Sequence, residues 1–206
     1  MSTSYAEGSF HFVNWKDPSY LLDGSPVQIE VYHLLRNRHL FEKLRLYSPI
    51  LVGTVPIGIN VAGSDLDLIC EVADFHAFEI EMFAAFKQEQ HFTIVRRVVA
   101  GLERIKVNFT LERWPIEIFA QSIRTTEQNG YRHMVVEARL LALFGPALRA
   151  EIIRLKENGF KTEPAFAKVL KLEGDPYLKL LELADWTNEQ LLALNVADWI
   201  NNYQES

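Results

Sequence analysis

Two carboxylates two positions apart, Asp65 and Asp67, follow a glycine–hydroxyl pair, Gly53-Thr54, across the ten-residue spacer 55–64. Side chains alternate faces along an extended strand. Asp65 and Asp67 are therefore expected on one face, with Leu66, Leu68, Cys70 and Val72 directed into a core. Like charges this close repel by about 4 kcal/mol at an effective dielectric near 20. A fold tolerates that best with a divalent cation or a shared proton between them, so the pair reads as a metal-site signature. Gly53-Thr54 ends the apolar run Ile50-Leu51-Val52. Glycine lets a backbone approach a phosphate closely, and amides with a hydroxyl supply donors to its oxygens. A third carboxylate, Glu117, lies between Ile116 and Ile118, odd in a closed core and ordinary on an edge. Each feature alone is commonplace. Their order and spacing carry the information.

The elements that must position these groups follow from pattern. Residues 1–24 read as an arm, with Phe10, Phe12 and Trp15 in partial alternation before turns at Asp17-Pro18 and Asp23-Gly24. Ser25-Pro26-Val27-Gln28 predicts a capped helix running to about Arg45. Strands are expected at Pro49–Thr54 and Asp65–Val72, joined by a flexible loop. Asp74 caps a helix over Phe75–Gln88 whose Phe78, Met82, Phe83 and Phe86 form an apolar stripe. Three strands of an antiparallel meander follow, at His91–Val99, Arg104–Leu111 and Pro115–Ala120. From Thr125 the period becomes helical. Thr125-x-x-Gln128 opens a helix to about Phe144, Gly145-Pro146 breaks it, and a second runs to Asn158-Gly159. Asp175-Pro176 and Thr187-x-x-Gln190 start further helices. The expected organisation is an arm (1–24), a mixed α+β core (25–125) and a helical subdomain (126–206), hinged at Gln121–Thr126. Gln128, Arg132 and His133, at the start of the helix after the Glu117 strand, are candidates to face the cleft.

Val52-Gly53-Thr54, the spacer, Asp65-Leu66-Asp67 and Glu117 about fifty residues later resemble the signature of the nucleotidyltransferase, or polymerase-β-like, superfamily. That signature is an apolar residue, Gly, then Gly or Ser, and Asp-apolar-Asp/Glu, with a later acidic strand residue. Thr54 departs from it but keeps a hydroxyl. Gly53–Gly58, Gly63–Asp67, Pro115–Gln121 and Gln128–Met134 resemble a small uncharacterised bacterial family within it. The likeness covers most of 25–145, and nothing in the tail from Pro146 adds to it. The resemblance implies a small mixed sheet with flanking helices and a helical C-terminal region. It further implies two Mg²⁺ ions on Asp65, Asp67 and Glu117, and β- and γ-phosphates held by Gly53 and Thr54 with Ser64. Lys106 or Arg104, by strand parity, would offset charge on departing pyrophosphate. The implied reaction moves a nucleoside monophosphate from an NTP, with ATP expected, to a hydroxyl acceptor.

Bulk properties bound the alternatives. At 206 residues and net charge −6 the chain lacks the cationic surplus of a general nucleic-acid binder. A small molecule or a protein is the favoured acceptor, long nucleic acid is disfavoured, and a tRNA end on a local basic patch stays open. Arg36–Arg45 holds four basic residues against one acidic, and Lys87–Arg113 six against three. These runs read either as solvated faces or as flanks of a polyanion. No apolar run is long enough to span a bilayer and no signal-peptide pattern begins the chain, so a membrane is not an expected partner. The lone Cys70 permits no internal disulfide, fits a reducing cytoplasm and is expected to be inert in the core. His33 and His39 fall on different sides of their helix and make no zinc pair. GxSxG and GK[ST] loops are absent. The competing reading is a non-catalytic or regulatory module of the same fold, an antitoxin-like partner protein.

Overall fold

The computed structural model describes residues 13–194. The arm residues Phe10, His11 and Phe12 lie outside them. Five strands form one sheet: β1 (Ile50–Val52), β2 (Leu66–Glu71), β3 (Gln90–Val99), β4 (Leu102–Leu111) and β5 (Trp114–Gln121). Their spatial order is β1-β2-β5-β4-β3, with β2 and β5 parallel and every other pair antiparallel. The meander β3–β4–β5 thus returns its last strand to the sheet centre, against the carboxylate strand. With helices α1 (Pro26–Asn37), α2 (Leu40–Leu44), α3 (Phe75–Phe86), α4 (Asn129–Glu157), α5 (Thr162–Val169), α6 (Pro176–Ala184) and α7 (Asn188–Leu192), this is an α+β fold. It has the layout the superfamily resemblance implies.

Alternation along the strands divides the sheet into two faces. Leu68 and Cys70 of β2, Ile116, Ile118 and Ala120 of β5, and Ile105 and Val107 of β4 bury against α1 and α3. Among the described residues, the other face is covered toward the β1 edge, where Ile50, Val52 and Ile69 join Met134, Val136 and Leu140 of α4, with Phe119 of β5 packed against them. Asp67 and Glu117 alternate with core residues and so emerge on this second face. That face stays open at Glu117 and over β4.

Several local expectations hold. Ser25 and Gln28 form the capping box of α1, Asp74 caps α3 through the amides of His76 and Ala77, and Cys70 is fully buried. Gly145 takes φ 70, ψ −158 inside α4, the break expected at Gly145-Pro146. Asp175 caps α6 and Thr187 caps α7.

Others are corrected. The first helix does not run on to Arg45, because His39 adopts a left-handed conformation (φ 54) that redirects the chain into α2. The turn lets Leu40 and Leu44 reach the core. Phe83 is half exposed, while Phe78, Met82 and Phe86 are buried. Thr125–Glu127 is a 3₁₀ turn rather than the first turn of α4. The Gly53–Asp65 connection is not a floppy loop. Val55, Pro56, Ile57 and Ile59 are buried in it. Gln28 Nε2 donates to Val55 O and Pro56 O, each at 3.0 Å, and Arg149 Nη1 donates to Ile57 O and to Gly58 O at 2.9 Å. Apolar residues in a loop pack when distant donors satisfy its carbonyls.

The Gln121–Thr126 segment is likewise pinned, with Gln121 and Thr125 buried. Gln128 follows it and locks it in place: its Nε2 donates to Cys70 O at 2.9 Å and to Ile123 O at 2.8 Å. Replacing Gln128 with Leu leaves both carbonyls without this donor, and a buried unsatisfied group costs about 1–3 kcal/mol. A lower urea midpoint with unchanged m-value is the expected result.

Candidate functional site

The cross-strand register assembles the sheet side of the site. Asp67 is paired with Glu117 across the parallel β2–β5 ladder, and Glu117 with Asn108 across β5–β4. Register partners project to the same face, so the two carboxylates stand side by side. Two residues on, the same face carries Ile69, Phe119 and Lys106, then Glu71, Gln121 and Arg104. Lys106 Nζ lies 2.6 Å from Glu117 Oε2, and the Arg104 guanidinium sits 5.9 Å from the Phe119 ring centroid. Val52, the last residue of β1, is in register with Asp67, which brings Gly53 beside it. Gly53 has φ 83, and a Cβ there would stand 2.8 Å from Asp67 Oδ2. Only glycine fits this approach.

Asp67 is the most perturbed acid of this face. Burial first, then the charges of Asp65 and Glu117, push its carboxyl from 3.8 up to about 7, partly offset by Lys106. Asp65 immediately precedes β2, is exposed, and shares a shallow hollow with Asn108 and Glu117. Glu117 also lines a deeper cleft with Asp67 and Gly53, and so belongs to both openings. That cleft has a volume of about 540 Å³.

The remaining predicted residues divide. Thr54 is half-buried, and its carbonyl accepts from the Ile59 amide. The Ser64 hydroxyl accepts from Val61 N at 2.9 Å and closes its own turn. Gln128 and His133 line the cleft. Arg132 does not. It turns toward α6, where Nη2 donates to Asp185 at 3.2 Å and to Leu181 O, because the helical period carries it off the face shared by Gly130, His133 and Met134. The two basic runs are mainly solvated faces: Arg38 pairs with Glu89, Arg96 with Glu79 and Glu103, and Arg113 with Glu30. Arg104 and Lys106 are the members that reach the site.

Sequence reasoning missed Glu127, Glu137 and Glu163, which line the same cleft. Glu137 had a readable signal: it lies four residues after His133, in line with the apolar residues Met134 and Leu141. Glu163 had none, since α5 was not anticipated and meets α4 only through tertiary packing.

Among the described residues, no group of three or more His, Cys, Asp or Glu side chains is arranged to hold a metal ion by itself. The donors beside Gly53 are hard oxygens on two adjacent strands, with a third carboxylate exposed nearby. That set suits Mg²⁺, which keeps several waters and is commonly bound by one or two carboxylates together with substrate phosphates.

Residues 33–183 match the model of a family described as a domain of unknown function, DUF4269. The chain belongs to that family. No curated protein matches this DUF4269 chain. Solved structures similar to it include the Cid1 poly(U) polymerase with Mg 3′-dATP bound, at 12% identity and TM-score 0.46, covering 79% of this chain and 52% of that one. A second structure of Cid1, described with its RNA terminal uridylyl transferase activity, has 12% identity, TM-score 0.49 and coverages of 79% and 52%. The GLD-2/RNP-8 complex has 12% identity, TM-score 0.43 and coverages of 91% and 83%. The chain spans about half the length of the Cid1 chains it matches. Among the described residues, no helix is long and apolar enough to cross a membrane.

Gly53 offers a direct test of the turn in this DUF4269 chain. Gly53→Ala is expected to cost about 1–3 kcal/mol, because alanine at this positive φ is strained and its Cβ displaces the Asp67 carboxylate. Differential scanning calorimetry reads the loss as a lower Tm.

Proposed function

We propose that this protein is a Mg²⁺-dependent nucleotidyltransferase. It would move a nucleoside monophosphate from an NTP, with ATP expected, to a hydroxyl of a small-molecule or protein acceptor. The observation that carries the reading is the register pair Asp67–Glu117, opening onto a cleft beside Gly53. The Gly53-Thr54 and Asp65-Leu66-Asp67 motifs support it.

In this reading Asp67 and Glu117, with Asp65, hold the metal. When bound, Mg²⁺ stabilises the charge on phosphoryl oxygens during an in-line displacement. Gly53 and Thr54 contribute backbone and hydroxyl donors to the β- and γ-phosphates. Lys106 and Arg104 offset negative charge on the same face. Glu117 accepts the proton of the attacking hydroxyl. The acceptor oxygen forms a bond to the α-phosphorus as the bond from that phosphorus to the bridging oxygen breaks. Pyrophosphate leaves with the electron pair. In this reading the sheet core and the helical region that begins at α4 are the two walls between which both substrates sit.

The test incubates the full chain with α-labelled NTPs, Mg²⁺ and a cell extract. Label in a discrete product together with pyrophosphate release is the expected outcome. Free nucleoside monophosphate as the sole labelled product would make the activity hydrolytic. Absence of both nucleotide and Mg²⁺ binding at millimolar concentration would overturn the proposal.

A further inference from the structure

The helical wall of the cleft holds chemistry that phosphate binding does not use. Five carboxyl side chains line the cleft, Asp67, Glu117, Glu127, Glu137 and Glu163, against one guanidinium, Arg104, while Lys106 pairs with Glu117 and Arg124 lies 3.7 Å from Glu127. Two of the cleft's polar residues are almost wholly buried and each keeps one oxygen without a partner. Gln128 is 2% exposed and Glu137 3%, and Oε1 of each has no hydrogen-bond partner. Both are acceptor oxygens, and Gln128 spends its two donors on Cys70 O and Ile123 O.

Arg104 on the sheet side of the cleft keeps an unpartnered Nε donor, and the groups beside Glu137 on the helical wall leave its demand unmet. His133 Nε2 lies 2.9 Å from Tyr177 O, an acceptor only, so that nitrogen carries the proton. His133 Nδ1 lies 3.5 Å from Glu163 Oε1. Lys156 acts on the Glu137 carboxyl and feels both Glu137 and Glu163, yet its Nζ donates to Thr162 Oγ1 at 3.0 Å and it does not line the cleft. Burial and the Glu163 charge hold the Glu137 carboxyl well above the ordinary range. A buried acceptor without a donor costs about 1–3 kcal/mol, and a charge-assisted bond from an ammonium recovers more than a neutral donor would.

We propose that this wall, Gln128, Glu137 and Glu163, binds a protonated amine, so that the acceptor is a small cationic molecule bearing both an amino group and a hydroxyl. The inference rests on the proposed transfer reaction for the hydroxyl. The amine site stands on the unpartnered oxygens of Gln128 and Glu137 in the cleft lining they share with Glu163. A nucleobase is the competing occupant, and the excess of carboxylates over Arg104 disfavours it against a cation.

The experiment measures binding to the full chain by calorimetry, without nucleotide or metal. The probes are spermidine, its diacetylated counterpart, and adenosine. Spermidine is expected to bind, with the diacetylated form weaker by at least about tenfold. Glu137→Gln and Glu163→Gln are each expected to weaken spermidine by about tenfold or more. Glu163 is only partly buried, so its variant keeps the test valid if Glu137→Gln fails to fold. No saturable spermidine binding at millimolar concentration would overturn the proposal, as would equal affinity for the acetylated form. Adenosine binding that is lost in the same variants, with no amine binding, would assign the wall to the base and also overturn it. Amine binding without any nucleotidyl transfer would instead sink the transfer reading and leave the amine site standing.

Discussion

Asp67→Asn and Glu117→Gln are each expected to reduce nucleotidyl transfer by more than about a hundredfold, while moving stability in different ways. Loss of residues that merely support metal ligands already costs roughly 10–100-fold, and these two would be ligands themselves. Asp67 is held against its own ionisation by burial and by Asp65 and Glu117. Asparagine removes that charge and is expected to stabilise the fold. Glu117 is partly exposed and pairs with Lys106, whose side chain is about half exposed. Breaking such a pair changes stability by about 0–1 kcal/mol. Activity lost in both variants, with stability raised in one and nearly unchanged in the other, marks a site kept for chemistry at the expense of the fold. Full activity in either variant would remove that carboxylate from the mechanism. Steady-state pyrophosphate release and urea melts make the two measurements.

Stability is expected to fall as pH rises from about 4 to about 7, and Mg²⁺ is expected to restore it only at the upper end. The sign follows from linkage. Asp67 titrates at about 7 in the folded chain against an ordinary 3.8. Below both values the carboxyl is protonated in either state and contributes nothing. Between them the unfolded chain releases the proton and the folded chain retains it, so unfolding gains. Above the folded value the penalty is complete, at roughly 4 kcal/mol for a gap of this size. Glu137, also raised by burial, adds in the same direction. A divalent cation must displace the proton, so its stabilisation should be small at pH 5 and large at pH 8. Asp67→Asn should flatten the slope and abolish most of the Mg²⁺ effect. Thermal melts across pH, with and without Mg²⁺, report both. A wild-type Tm that Mg²⁺ raises equally at pH 5 and pH 8 would contradict the assignment of Asp67.

Much of the architecture was legible because it is written in local chemistry. The Ser25–Gln28 capping box, the Asp74 cap, the Gly145 break and the strand alternation around Asp67 each depend on residues a few positions apart. Elements set by distant partners were not. His39 enters the left-handed region without a glycine to announce it, and the Gly53–Asp65 connection looks mobile until Gln28 and Arg149 are seen to hold its carbonyls. Phe83 follows the helical stripe, yet it stays half exposed beside Phe92 of β3.

The candidate site divides along the same line. Residue type and spacing alone determined that Asp65, Asp67 and Glu117 are the acids to examine and that a glycine turn precedes them, because alternation along a strand is a local property. Which strand stands next to which was a tertiary decision: the parallel β2–β5 ladder puts Glu117 beside Asp67. The same packing turned Arg132 toward α6, gave Gln128 to two backbone carbonyls, and brought Glu137 and Glu163 into the cleft. Side-chain direction follows from the backbone period, but the neighbour it meets is chosen by how helices and sheet bury their apolar faces, and no short stretch of chain encodes that choice.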